Sequence, residues 1–202
     1  MANEINKSLS AYHLSTGTEK LYTPAKKNFF EFIVEGLGDL LKPGVDENLA
    51  SNIDYIYNTQ EAIRLTVHST SVPHPEISVL TIRKGNSVSK YPGVPTYSEG
   101  TLVCTDLVGS QTKAILEAWQ NLAYDPLTDK GGRAYRKDGL GCKKNATLIE
   151  YTADHQKVRE WQLIGCWISN ISEEDYNQES DDIQRISCTI VYDRAIPLFE
   201  NI

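Results

Sequence analysis

A mainly β fold, a sandwich or open barrel of antiparallel sheets with one flanking α-helix, is predicted by three features of this 202-residue chain. Apolar residues return mostly at every second position, in short runs bounded by turn-forming residues. Only the stretch AILEAWQNLAYD, residues 114–125, clearly returns them at helical spacing. Strand-like and helix-like runs do not alternate as a parallel βαβ sheet requires.

The elements follow in chain order. Residues 1–27 are polar, with Ile5, Leu9, Leu14 and Leu21 scattered, and read as a flexible arm that orders only against something else. Residues 28–202 read as a single β domain. Its first strand is set by Phe30, Phe32 and Val34 alternating with Glu31, Ile33 and Glu35, and it stops at Gly36. A long connection over about 36–60 holds Pro43 and Gly44, with a short helical turn expected near Glu47 to Ile53. Ile63, Leu65 and Val67 alternate with Arg64, Thr66 and His68, which predicts a half-buried strand ending before Pro73 and Pro75. Ile77, Val79 and Thr81 lead to a turn at Arg83-Lys84-Gly85-Asn86, and another strand is predicted over 96–105.

The helix comes next, with Ser110 as its expected N-cap, Pro126 closing it, and Ile115, Trp119 and Leu122 on its apolar face. Residues 127–144 are rich in glycine and cannot hold a regular element for long. Residues 146–153 and 158–168 flank the polar turn Asp154 to Lys157 and predict an antiparallel hairpin. Strict alternation in its second strand places Trp161, Leu163, Gly165 and Trp167 on one face. An acidic loop follows, then a final strand over 183–193 with Ile186, Cys188, Ile190 and Tyr192 on its apolar side. The helix is expected to cap an open edge of this β structure that would otherwise leave the core wet.

Composition excludes some functions. The net charge of -7 argues against a surface built to neutralise phosphates, which needs clustered Lys and Arg. Cys104, Cys142, Cys166 and Cys188 form no CxxC pair, so they read as buried free thiols and not zinc ligands. No run approaches a membrane span and the N-terminus has no uninterrupted apolar segment, so folding in a reducing cytoplasm is expected.

Catalytic patterns are weak. His13, His68, His74 and His155 fall in unrelated segments, and no motif places Cys104 beside His68 as a nucleophile and base. The glycines between Gly131 and Gly141 lack the GK[ST] ending of a phosphate loop. Glu150 and Glu160 across the hairpin read as solvated carboxylates, not an acid–base pair. No catalytic residue, cofactor site or metal site is assigned, and the chain is not read as an enzyme.

Charge offers more. Lys130, Arg133, Arg136 and Lys137, with Lys143 and Lys144, make one loop basic, and interleaved Tyr135 gives it some likeness to a single-strand nucleic-acid site. Glu173, Glu174, Asp175, Asp181 and Asp182 make another loop acidic. In a ring or stack of identical copies, such patches meet between subunits. Both sets are therefore candidate subunit-interface residues. The candidate core is Ile115, Trp119, Leu122, Trp161, Leu163, Trp167, Ile186 and Ile190.

The order of these features resembles the tail tube proteins of contractile-tailed bacteriophages, relatives of the inner tubes of contractile injection systems. The likeness runs from about Asn28 to Pro197. It rests on NFFEFIVEG at the first strand, the proline and Asn-Gly-bearing segment from Val67 to Asp106, the Trp119-Gln120 pair in the helix, and the spacing of Tyr135, Tyr151, Gly165, Trp167 and Ile168 before a closing IQRISCTIVYDR. The chain departs at Cys166-Trp167-Ile168, where the family often has Leu-Trp-Pro, and in its longer arm and connection.

What the resemblance implies is a structural virion protein, a major tail tube subunit of two packed sheets and a flanking helix. Six copies would form a ring whose inner sheets join into a β-barrel lumen, and rings would stack inside a contractile sheath. The implied partners are further copies of the chain, the tail sheath protein, baseplate and tape-measure proteins, and DNA as a transient passenger, with no membrane. The implied location is the virion tail, assembled in the host cytoplasm. A net negative chain suits a conduit through which DNA passes without sticking. The alternatives are a baseplate tube or tail-terminator ring of the same fold, and a small β-barrel nucleic-acid binder.

Overall fold

A computed structural model describes residues 26–37, 59–107, 111–135, 141–152, 155–179 and 181–199. The arm up to residue 25, the helical turn expected at 47–53 and the expected cap Ser110 lie outside the described residues.

Antiparallel strands dominate. The long strand β9 (Lys157–Glu173) organises a continuous seven-stranded path, because its two halves pair in two different sheets that it joins. Its first half pairs on one side with β8 (Lys144–Tyr151), which continues to β1 (Phe30–Val34), and on the other side with β11 (Arg194–Phe199). Its second half pairs with β10 (Arg185–Val191), followed by β5 (Gly100–Thr105) and β2 (Val67–Thr70). The inner faces enclose one core of Phe32, Val34, Leu102, Leu148, Trp161, Leu163, Ile168, Ile186 and Ile190. Each such fully buried side chain contributes about 1.5–3 kcal/mol.

The switch between sheets is built into β9 at Gly165, whose φ is +72°. Here the register with β8 slips between Lys144 and Ala146, and both Gly165 and Cys166 face inward. That extra residue shifts the alternation, as a bulge does. Beyond it Ile168 points into the core, and Trp167, expected there, is only half-buried on the outer face. The strict alternation from Trp161 to Trp167 therefore fails at its last member.

Among the described residues two helices pack on this framework, where one flanking helix was expected. The strand expected over Ile63 to His68 is divided: α1 (Thr59–Thr66) is helical and only Val67 onward is extended. Thr59, Ile63 and Thr66 are buried at helical spacing, while Leu65 is 75% exposed, which alternation would have forbidden. Glu61 in its first turn and Arg64 in its last suit the helix dipole. The second helix, α2 (Gln111–Asn121), buries Ile115, Leu116 and Trp119 completely. Leu122 lies just past its end, half-buried against the core.

The strand expected over 96–105 is also two elements. β3 (Pro75–Lys84) and β4 (Ser87–Tyr97) form a two-stranded ribbon of their own, closed by a turn at Gly85-Asn86, and β5 begins afresh at Gly100. Pro92 and Pro95 obscure β4 in the sequence, but a ribbon with free outer edges tolerates proline. The short strands β6 (Tyr124–Asp125) and β7 (Lys130–Gly131) make a finger after α2.

Candidate functional site

The chemistry-bearing side chains do not converge. Cys104 is buried and hydrogen-bonds the Thr66 side chain, and burial pushes its thiol up to about 12, far from a usable nucleophile. His68, His74 and His155 are exposed. Glu150 sits opposite Arg159 and binds its guanidinium at 2.6 Å, whereas Glu160 sits opposite Ile149 and pairs with Lys157. The two carboxylates therefore point to opposite faces of the sheet. Among the described residues no three His, Cys, Asp or Glu side chains cluster as metal ligands, and no helix is long and apolar enough to cross a membrane.

What the fold presents instead is surface for contact. The acidic loop leaves β9 at Glu173 and rejoins the sheet at Arg185. Glu173 is committed within its own subunit: Lys113 on α2 binds it at 2.7 Å, and that carboxylate raises the Lys113 pKa above its ordinary value. Glu174, Asp175, Glu179 and Asp181 are exposed, and Tyr176 among them is 83% exposed. The Gln184 side-chain amide donates to the Glu174 carbonyl at 2.9 Å and pins the loop's base.

The basic loop is partly used up in the same way. Lys143 binds the Asp193 carboxylate at 2.7 Å, which raises its pKa, and Lys144 is buried. Lys130 and Arg133 are exposed on the finger, held by Tyr124 donating to Asp129 at 2.7 Å. Arg136 and Lys137 lie outside the described residues. Lys143 is committed to Asp193 and not to the acidic loop.

The ribbon was not singled out by sequence reasoning, and it is the most conspicuous surface. Ile77, Val79, Leu80, Ile82, Val88, Tyr91 and Val94 are all exposed. Successive residues of a strand face opposite ways, so Val79 and Leu80 show that both faces are apolar and uncovered. The signal was present in Ile77 to Ile82, a run rich in β-branched residues that leads to the turn at Arg83-Lys84-Gly85-Asn86. Among the described residues, the outer edges of β1, β2 and β11 also pair with no strand.

Many solved structures share this architecture. A chain of the sheath–tube complex of an extracellular contractile injection system, PVC, in its extended state superposes with a TM-score of 0.62 at 16% identity, covering 91% of this chain and 100% of that one. A chain of the PVC sheath/tube terminator gives 0.58 at 18% identity, over 87% and 97% of the two chains. A chain of the anti-feeding prophage tube-terminating cap gives 0.59 at 13% identity, over 92% and 98%. At such identities the likeness establishes the fold. No curated protein matches the chain. The sequence model of the T4-like virus tail tube protein gp19 matches residues 53–195, from before α1 to the start of β11 and well over half of the molecule. The chain belongs to that tail tube family and is a structural protein of the tail tube type.

Proposed function

We propose that this chain is a major tail tube subunit, in which six copies close a ring and rings stack into the DNA conduit inside a contractile sheath. One observation carries the reading: the β3–β4 ribbon exposes apolar side chains on both faces. An isolated two-stranded ribbon is marginally stable at best in water, and uncovered apolar surface of this kind marks a contact. The unpaired edges of β1, β2 and β11 would be completed by neighbours in the closed ring.

In the same reading Lys130, Arg133, Arg136 and Lys137 face Glu174, Asp175, Asp181 and Asp182 of an adjacent copy. The arm over 1–27 and the connection over 36–60 reach neighbouring subunits, and the sheath, baseplate and tape-measure proteins are the further partners. The net charge of -7 favours free passage of DNA. Resemblance to tube-terminator and tube-cap chains supports a second reading, a single terminator ring. Quantitative mass spectrometry of the assembled particle separates them. A polymer requires many copies in proportion to tube length, and a count of about one ring per particle would replace the first reading with the second.

A further inference from the structure

The space between the two sheets is sealed unevenly along β1. Towards its C-terminal end Val34 and Leu37 are completely buried, and α1 packs on the strand. At its N-terminal end Phe30 is only half-buried, and a cleft of about 630 Å³ opens between the sheets. Such a volume lies within the roughly 300–1,000 Å³ of pockets that hold a ligand.

One wall of the cleft is apolar, formed by Phe30 with Leu148 and Trp161, which are nearly buried and make its floor. The facing wall is the end of β2 at Thr70, followed by Val72, which is 48% exposed. Glu150 and Arg159 pair at the rim, with the guanidinium 5.3 Å from the centre of the Trp161 ring. Among the described residues β1 pairs only with β8 and β2 only with β5, so no strand closes the gap.

The chain entering β1 points to what fills it. Lys26 and Lys27 stand on the rim, and the backbone turns at Lys27 and Asn28 before the strand begins. The Lys26 ammonium lies 5.8 Å over the Phe29 ring, so the incoming chain has already bent back towards the mouth. Immediately upstream the sequence reads Leu21-Tyr22-Thr23-Pro24-Ala25, outside the described residues. Tyr22 precedes Lys26 by four residues, which span at most about 14 Å, a distance that keeps it in the neighbourhood of the cleft. Pro24 favours an extended Thr23. A leucine and a tyrosine, whose ring is apolar and whose tip is polar, match an aromatic floor under a polar rim.

We infer that Leu21 and Tyr22 of the same chain dock in this cleft and close the open end of the core. The residues before Leu21 stay available to other copies. Because the contact needs no second copy, it stands or falls apart from the tube reading.

A disulfide trap in the full chain tests it. Thr23→Cys with Val72→Cys sets two thiols at the proposed contact and leaves Leu21 and Tyr22 intact, while the four native cysteines are buried. A comparison chain adds Leu21→Asp and Tyr22→Asp, which preserves the tether and removes both anchors. Glutathione disulfide oxidises dilute protein, non-reducing mass spectrometry follows the new bond, and circular dichroism confirms that both chains stay folded. The first chain should form an intramolecular bond about ten-fold or more faster than the second, because docking raises the effective concentration of one thiol at the other. Equal rates would show mere tethering and overturn the contact, as would a first chain that forms no such bond. A bond between two molecules overturns it in favour of a second copy's arm in the cleft. A chain that never assembles, yet traps as expected, refutes the tube reading and leaves this contact standing.

Discussion

The side-chain amide of Gln120 on α2 donates to the main-chain carbonyl of Ser169 on β9 at 3.3 Å. Ser169 is the residue skipped where the register with β10 shifts, and its hydroxyl donates to the Thr189 carbonyl at 3.3 Å. The helix thus satisfies an oxygen left over by the bulge on the half of β9 that has only one strand neighbour. This answers what a single well-signalled helix does in a mostly β protein. It covers an open strand border.

Trp119 anchors that cover. Its indole is fully buried and donates to the Cys142 carbonyl at 3.0 Å. Trp119→Ala should cost about 3–5 kcal/mol in chemical denaturation, from lost burial and the cavity left behind. Trp119→Phe should cost less, but still about 1–3 kcal/mol for the orphaned carbonyl. Loss below about 1 kcal/mol for the Ala variant would show the indole to be dispensable.

Gly165 holds the sheet switch. A Cβ there would meet the Asp193 carboxylate in a left-handed backbone conformation. Gly165→Ala should destabilise by about 1–3 kcal/mol or more. Gly85→Ala, at φ +60° with open space around it, serves as the strain-only control and should cost about 1 kcal/mol. Equal losses at both sites would remove the steric part of the explanation.

Trp161 and Trp167 should differ despite lying on one strand. Trp161→Ala removes a buried side chain and should cost about 3–5 kcal/mol. Trp167→Ala acts on the outer face and should cost the isolated subunit about 1 kcal/mol or less. Comparable melting losses would place Trp167 back in the core.

Alkaline pH should destabilise the subunit before any covalent damage. Burial raises the thiols of Cys104, Cys166 and Cys188 to about 12, and burial also raises Tyr151 and Tyr192. A folded pKa above the unfolded value means that folded protein keeps protons the unfolded chain releases. That contribution is complete below about pH 9 and is lost as pH rises towards about 12. Thermal melting followed from pH 7 to 11 should fall steadily above about 9, with thiol reagents inert until unfolding. A flat profile would contradict the buried, protonated state of these cysteines.

Much of the fold was legible because alternation and turn chemistry are local. Phe32 and Val34 point inward as their spacing requires, as do Ile186, Cys188 and Ile190. The misreadings came where tertiary context decides. Ile63, Leu65 and Val67 alternate for only three positions, too few to distinguish a strand from the last turn of a helix. Trp167 was lost to a bulge whose only trace is Gly165. The ribbon's Ile77, Val79, Leu80 and Ile82 are exposed, which their apolar character alone does not reveal. Lys143 and Glu173 were spent on Asp193 and Lys113, pairings made across 50 and 60 residues of chain that no local pattern announces.

Negative-stain electron microscopy of the purified full chain at high concentration tests the central claim most directly. Six-fold rings or stacked tubes are the expected result. A monodisperse 22.6 kDa monomer, with its ribbon folded onto its own subunit, would contradict it.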